Sequence, residues 1–256
     1  IETATTPIIS TSGYKMNFDF DITPDAEIQI IFDRQAGDIM KGRGSGNIKM
    51  EISTINNYIF DMFGDYVIDK GSYLFTLQNV VNKYFTVEKG GTISFKGDPY
   101  QALLNIKAIY EVRTNRNNLL SDIEKVAFEN EADLNKRVPL NVYLNMTGSL
   151  LNPNIKFNIK QSDNNNSRID FIVAQKLRDM VINNQNELNK QIFGLLVFNQ
   201  FMPAEEFELD IQSGVNTTVS ELLSNYLNSF LNDAITNVIP DSELNVNWRN
   251  YNTAET

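Results

Sequence analysis

Two residue types are missing altogether: the chain has no cysteine and no histidine. That removes thiol and imidazole nucleophiles, the usual zinc ligands and the general base of a Ser-His-Asp triad. Lack of cysteine is compatible with an oxidising compartment without identifying one. Positive charge is scarce as well, with 22 Lys and Arg against 32 Asp and Glu and a formal net charge of −10. Nucleic acid calls for clustered basic side chains, and docking on anionic lipid calls for polybasic segments; this excess of carboxylates disfavours both. Long apolar runs are missing too. The densest, residues 192–198, falls far short of the ~20 residues that cross a bilayer as a helix. No charged-then-apolar leader follows Ile1, so the sequence reads as a piece of something longer, with any address signal or anchor elsewhere.

What is present is a foldable, strand-rich chain. Of its 256 residues 42% are hydrophobic and 21% charged, ordinary globular usage that argues against disorder. That length suffices for one large β domain, with or without a helical appendage. Tyr14, Met16, Phe18, Phe20 and Ile22 alternate with Lys15, Asn17, Asp19 and Asp21, the period-two pattern of a strand with one buried face. Pro24 and Asp25 break that run. The alternation returns at Ile28 and Ile30, at Ile48, Met50 and Ile52, and at Tyr73, Phe75 and Leu77. Phe85 and Val87, then Ile93 and Phe95, then Leu104 to Tyr110 continue it, with Gly64, Gly71, Gly90, Gly91, Gly97 and Asp98-Pro99 expected between runs. Strands this closely spaced favour sequential antiparallel pairing over parallel units that need helical crossovers. Residues 114–137 read as a loop or short helical excursion. Strands resume at Val138, Leu140, Val142, Leu144 and Met146 and at Ile155, Phe157 and Ile159, before an Asn-rich polar loop at 162–167.

Past that loop the period changes. Residues 169–199 read as helical, and a short strand at Phe207, Leu209 and Ile211 follows. Thr218 and Glu221 match a capping box, and the run from Leu222 to Val238 has helical spacing until Pro240 stops it. The expected organisation is a curved sheet over 1–160 and a helical appendage with one or two further strands over 161–256, packed on the same domain.

Few residues offer chemistry. Gly42, Gly44 and Gly46 match neither the dinucleotide fingerprint nor a P-loop; on one strand face they make room for a neighbouring backbone or a ligand. Asp19 with Asp21 and Glu205 with Glu206 are acids of a solvated face, and no Asp-x-Asp-x-Asp-Gly loop fixes an ion. The informative feature is the apolar strand faces. They suit either the core of a β-sandwich or a curved sheet wrapped around a cavity, where each acyl methylene buried contributes about 0.8 kcal/mol. Pattern alone leaves both open.

Three strings carry a resemblance. They are Gly71-Ser-Tyr73-Leu-Phe75, Phe85-Thr-Val87-Glu-Lys-Gly90-Gly-Thr-Ile93-Ser-Phe95-Lys-Gly97-Asp98-Pro99, and Ala102-Leu-Leu104-Asn-Ile106-Lys-Ala108-Ile-Tyr110. With a Gly-Asp-Pro turn between two alternating strands, the stretch 64–110 resembles the TamB C-terminal domain family. Leu188-Asn-Lys-Gln191-Ile-Phe-Gly-Leu195-Leu196, together with the run 219–231, is similar to the family's helical insertion. The Asn-rich composition suggests a Bacteroidetes-like source.

The resemblance implies a mostly β protein with a long curved antiparallel sheet, a β-taco or open barrel with a hydrophobic groove, plus C-terminal helical segments. It implies a periplasmic, non-enzymatic segment of a Gram-negative bridge protein, anchored in the inner membrane by a part outside this sequence. Phospholipid or another acyl-chain ligand and a TamA-like outer-membrane barrel are the implied partners, with no cofactor, metal or catalytic residue. The side chains expected to line the groove are Phe18, Phe20, Ile30, Met50, Phe75, Phe85, Ile93, Phe95, Leu104, Ile106, Leu140, Val142 and Leu144. Two other roles fit the same pattern: a chaperone-like module that binds unfolded barrel strands by edge augmentation, and a plain β-sandwich adhesin.

Overall fold

A computed structural model describes residues 13–33, 37–55, 58–77, 81–128, 136–162 and 167–203. The strand at 207–211 and the capped run at 218–239 expected from the sequence lie outside these residues. Among the described residues nine strands make one antiparallel sheet: β1 (Lys15–Ile22), β2 (Glu27–Asp33), β3 (Asp38–Ser53), β4 (Ile59–Leu77), β5 (Val81–Val87), β6 (Thr92–Gly97), β7 (Leu103–Thr114), β8 (Val138–Ser149) and β9 (Asn152–Gln161). Between β7 and β8 lie a 3-10 turn at Asn117–Leu119 and a short helix α1 (Asp122–Val126). Among the described residues two helices follow the sheet, α2 (Arg168–Asn183) and α3 (Gln185–Phe198).

Pairing is not simply sequential. β1 pairs with β3 from Ser53 to Gly46, and β2 pairs with the other half of β3, from Arg43 to Asp38. β3 is long enough to take both, so β1 and β2 do not pair with each other. In the same way β5 and β6 lie end to end between β4 and β7. Gly90 N donates to Ile68 O at 2.8 Å and Ile68 N donates to Gly91 O at 2.8 Å, which holds their connecting turn on β4.

Gly64 and Gly71, expected between strands, instead lie inside the 19-residue β4. The reason is close backbone approach. Gly64 has φ of +126°, and a Cβ there would sit 2.1 Å from Asn47 O on β3; one on Gly44 would sit 2.0 Å from Val67 O on β4. The register of β3 with β4 shifts between Arg43 and Gly44, where Asp69 of β4 is the extra residue, a bulge that bends the bulged strand beside Gly44. Gly44 and Gly46 of β3 therefore admit a neighbouring backbone, the structural half of the reading made from their spacing, whereas a Cβ on Gly42 would meet only side chains, at 3.7 Å or more.

The bend curls the sheet. β4 and β9 are separated by β5, β7 and β8 in the strand order, which in a flat sheet puts them roughly 19 Å apart at 4.8 Å per strand. Yet the rings of Phe75 on β4 and Phe157 on β9 have centroids 6.1 Å apart, and Phe85 stands 6.4 Å from Phe157. Among the described residues the sheet is open, with no pairing that closes β9 on β1 or β2.

The helical stretch 169–199 is two helices jointed at Asn184. Ser167 and Asp170 form a reciprocal capping box at the start of α2, satisfying two otherwise orphaned backbone donors. Asn184 caps α3 by accepting from Glu187 N at 3.0 Å, and Asn199 ends it in the left-handed region at φ 53°. α2 buries the stripe Ile169, Val173 and Leu177. α3 is buried nearly all round, from Leu188 through Lys190 to Leu196, the signature of a helix inside a core and not on a surface. It fills part of the curled sheet, so the sheet packs on helices and not on a second sheet as a sandwich would.

Candidate functional site

The apolar strand faces merge into one surface, divided by the helices into a filled part and an open part. In the filled part Phe75, Phe85, Ile93, Leu104, Ile106, Leu140, Val142 and Leu144 pack with Ile192, Phe193, Leu195 and Leu196 of α3, all at most 4% exposed. Polar latches fix the filling. Arg116, just past β7, forms an ion pair with Asp170 at the start of α2, both side chains 4% exposed or less. Lys176 of α2 reaches Glu124 of α1 at 2.6 Å. Burial alone would raise the Glu124 carboxyl, but hydrogen bonds from Lys176 and Ser121 and the Lys176 charge hold it below its ordinary range.

Past α3 the chain turns back across Gly194, where a Cβ would meet Gln200 O at 2.7 Å. Gln191 pairs with the returning backbone like a strand, donating to Met202 O at 3.0 Å and accepting from Met202 N at 2.9 Å. Asn199 Oδ1 accepts from Lys83 Nζ of β5 at 3.1 Å and from Tyr110 Oη of β7 at 3.0 Å. The end of α3 is thereby tied to the sheet.

The open part is a cleft of about 530 Å³, inside the range of small-molecule and acyl sites. β2 supplies Ile30, Ile31 and Phe32; β4 supplies Phe60, Met62 and Tyr73; β6 supplies Phe95. The opposite wall comes from Met146, the turn residues Leu150 and Leu151, and Pro153 and Ile155 of β9, with Pro99 and Tyr100 alongside. The cleft therefore lies between β2 and β9, the two lips of the curled sheet. Its polar fringe is Gln29, Asn152 and Asp38, and among the described residues no Lys or Arg lines it. Asp38 Oδ1 accepts from Thr76 N at 2.6 Å and from Thr76 Oγ1 at 3.0 Å. Burial, reinforced by the Asp38 charge, pushes the Tyr73 phenol far above its ordinary range, so it stays protonated.

From the cleft the apolar face runs on along a flap made by β1 and the adjoining halves of β3 and β4. Cross-strand rows Phe18–Met50–Met62 and Met16–Ile52–Phe60 join the flap to the cleft wall. Phe18 and Phe20 stack at 5.7 Å and are 38% and 42% exposed.

Of the thirteen side chains named from the sequence, Ile30 and Phe95 line the cleft, Phe18, Phe20 and Met50 stand on the flap, and the other eight are walls of the filled part. The groove set expected from the sequence leaves out Tyr73, Met146 and Ile155, although all three belong to the alternating runs and line the cleft. It also missed Tyr100, Leu150 and Leu151, which sit in turns and carry no periodic signal. Among the described residues no group of three or more acidic side chains gathers to hold a metal, and no helix is long and apolar enough to cross a membrane.

A curled, open antiparallel sheet, filled by helices along one stretch and left as an apolar cleft along another, defines a β-groove protein. The family model for the TamB C-terminal domain matches residues 2–256, and the chain belongs to that family. Compared with curated proteins and with solved structures, it matches none. The family is envelope-associated and non-enzymatic, serves outer-membrane protein assembly and lipid transport, and works with TamA-type partners.

Proposed function

We propose that this chain is a periplasmic segment whose cleft holds the acyl chain of a phospholipid on its way to the outer membrane, in a protein anchored at the inner membrane and engaged with a TamA-type barrel. One observation supports this above the rest: the apolar face continues, uncovered, from a cleft of about 530 Å³ onto an exposed flap. Ten methylenes taken from water into such a surface contribute about 8 kcal/mol before ordering costs. Ile30, Phe95, Phe18, Phe20 and Met50 are the contact residues; Phe75, Phe85, Ile93, Leu104, Ile106, Leu140, Val142 and Leu144 hold the wall behind them. The chemistry is passive: no bond is made or broken.

Native mass spectrometry of gently purified protein tests the reading. It expects a co-purifying lipid in the unaltered chain and its loss in Phe95→Asp; a lipid-free spectrum of the unaltered chain removes the reading.

Strand addition has one observation in its favour, the outer edge of β1, which pairs with no strand among the described residues. The edge at β9 is less suited, because Pro153, Lys156 and Lys160 are residue types that discourage edge pairing. Crosslinks of a nascent barrel strand to β1, with none to the cleft, favour that second role.

A further inference from the structure

We propose that the outer edge of β1 is a self-association edge: two copies of this chain join antiparallel through residues 15–21, across a two-fold axis at Phe18. The pairing does not rest on the acyl reading, and it fills the edge to which a barrel strand would otherwise add.

The backbone of that edge is set for pairing. Thr54 N donates to Tyr14 O at 3.0 Å, and Tyr14 stands one step before Lys15, which pairs with Ser53. Peptide groups alternate sides along an antiparallel strand. The even-numbered residues of β1 therefore bond to β3, and Lys15, Asn17, Asp19 and Asp21 turn their N–H and C=O groups outward. No strand among the described residues takes them. Folded proteins blunt such an edge with proline, bulges or rows of lysine. β1 has one lysine, no proline and no register shift with β3, and its two aspartates are complementary to that lysine.

The side chains choose a second copy as the occupant. In an antiparallel pair centred on Phe18, odd residues face odd ones, so every outward peptide meets another. Lys15 then stands opposite the partner's Asp21 at both ends, and Asn17 stands opposite the partner's Asp19. On the apolar face Met16 meets the partner's Phe20, and Phe18 meets its own copy. Met16, Phe18 and Phe20 are 39%, 38% and 42% exposed, and cross-strand pairs of this kind cover and stabilise one another. Neighbouring registers do worse. Centring on Asp19 sets that carboxylate against itself, and centring on Asn17 puts Asp21 opposite Gly13, where no cation stands.

The same strand serves both copies, so the interface is isologous and closes on itself. It continues the sheet from β3 of one copy to β3 of the other and makes the two flaps one apolar face. The far edge at β9 carries Pro153, Lys156 and Lys160, residue types that discourage pairing, so growth stops at two copies.

Sedimentation equilibrium of the whole chain should show a dimer at about 100 µM, a concentration suited to an interface smaller than the standard size. Lys15→Asp and Asp21→Lys each set like charges opposite one another at both ends and should weaken association by about tenfold or more. An equimolar mixture of the two variants should restore it, because both ends then bring opposite charges together. The chain has no cysteine, so an introduced thiol can meet only its own copy. Phe18→Cys should give a disulfide-linked dimer on mild oxidation, since pairs without mutual hydrogen bonds hold Cα atoms about 4.5 Å apart, within disulfide reach. Lys15→Cys, whose copy would lie about 20 Å along the strand, should not.

An unaltered chain that stays monomeric at that concentration overturns the proposal, as does a dimer that neither charge variant weakens. Equal crosslinking of Phe18→Cys and Lys15→Cys overturns it too. Should the charge variants lose their strand signal in circular dichroism, the two cysteine variants decide alone.

Discussion

Replacing Asp170 by Asn should loosen the helical filling from the sheet by a measurable amount. The Asp170 carboxylate and the Arg116 guanidinium form an ion pair with side chains 4% and 3% exposed. Neutralising the carboxylate takes from the Arg116 guanidinium one of its partners in a site this buried, at a cost of about 3 kcal/mol. Asn keeps the shape and an oxygen for Ser167, so most of the capping box survives and little is added for the helix end. Against a total stability of roughly 5 to 15 kcal/mol, a loss of about 3 kcal/mol moves a urea midpoint down by about 1.5 M at a slope near 2 kcal/mol per M.

Urea unfolding followed by circular dichroism reads the loss, and amide hydrogen exchange locates it. Amides of α2 and α3 should lose protection before those of β3 and β4, since the pair joins the helices to the turn after β7. Combining Arg116→Met with Asp170→Asn removes both charges of the pair, and the double variant should lose less stability than the two single losses summed. A loss below about 1 kcal/mol for Asp170→Asn, or a double variant as weak as the two single losses summed, refutes the argument.

Three further outcomes follow from the same geometry. Phe95→Asp should lower the affinity for a fluorescent fatty acid by about tenfold or more while the far-ultraviolet spectrum stays unchanged, because Phe95 is only half-buried. Phe85→Asp, at 0% exposure, should unfold the chain under the same spectral test. Gly44→Ala should cost about 3 kcal/mol, since its Cβ would stand 2.0 Å from Val67 O. Gly42→Ala, whose nearest neighbour would be 3.7 Å away, should cost far less, and equal urea midpoints would contradict the close-approach argument. Burial raises the Tyr73 phenol above its ordinary value of 10.0. The unfolded chain therefore releases that proton first, so stability is full below pH 10 and falls as pH rises beyond it. Tyr73→Phe should flatten the alkaline limb of a pH-stability curve, and an unchanged limb would remove Tyr73 as its cause.

The strands and their oily faces were legible in the sequence because side-chain direction in a strand is a local matter of period two. Phe18, Ile30, Phe75, Phe85, Phe95 and Val142 all fall on the apolar face their spacing indicated. The Gly97-Asp98-Pro99 corner was legible for the same reason: Asp98 caps the turn through Tyr100 N at 3.0 Å, and a short polar side chain before proline is a local signal. Gly64 and Gly71 were misread as breaks because glycine serves equally in turns and under a crossing backbone, and only the partner strand distinguishes the two.

The split of the apolar face into wall and cleft was decided by the tertiary structure alone. No periodicity says that α3 enters the curl of the sheet and covers Phe85 but not Phe95, since that depends on where a jointed helix pair comes to rest against strands such as β7 and β5, whose contacts with the end of α3 span 89 and 116 residues of chain. Tyr100, Leu150 and Leu151 joined the cleft through turns, where no repeat constrains direction. Local chemistry determined which surface is apolar; long-range packing determined how much of it stays open.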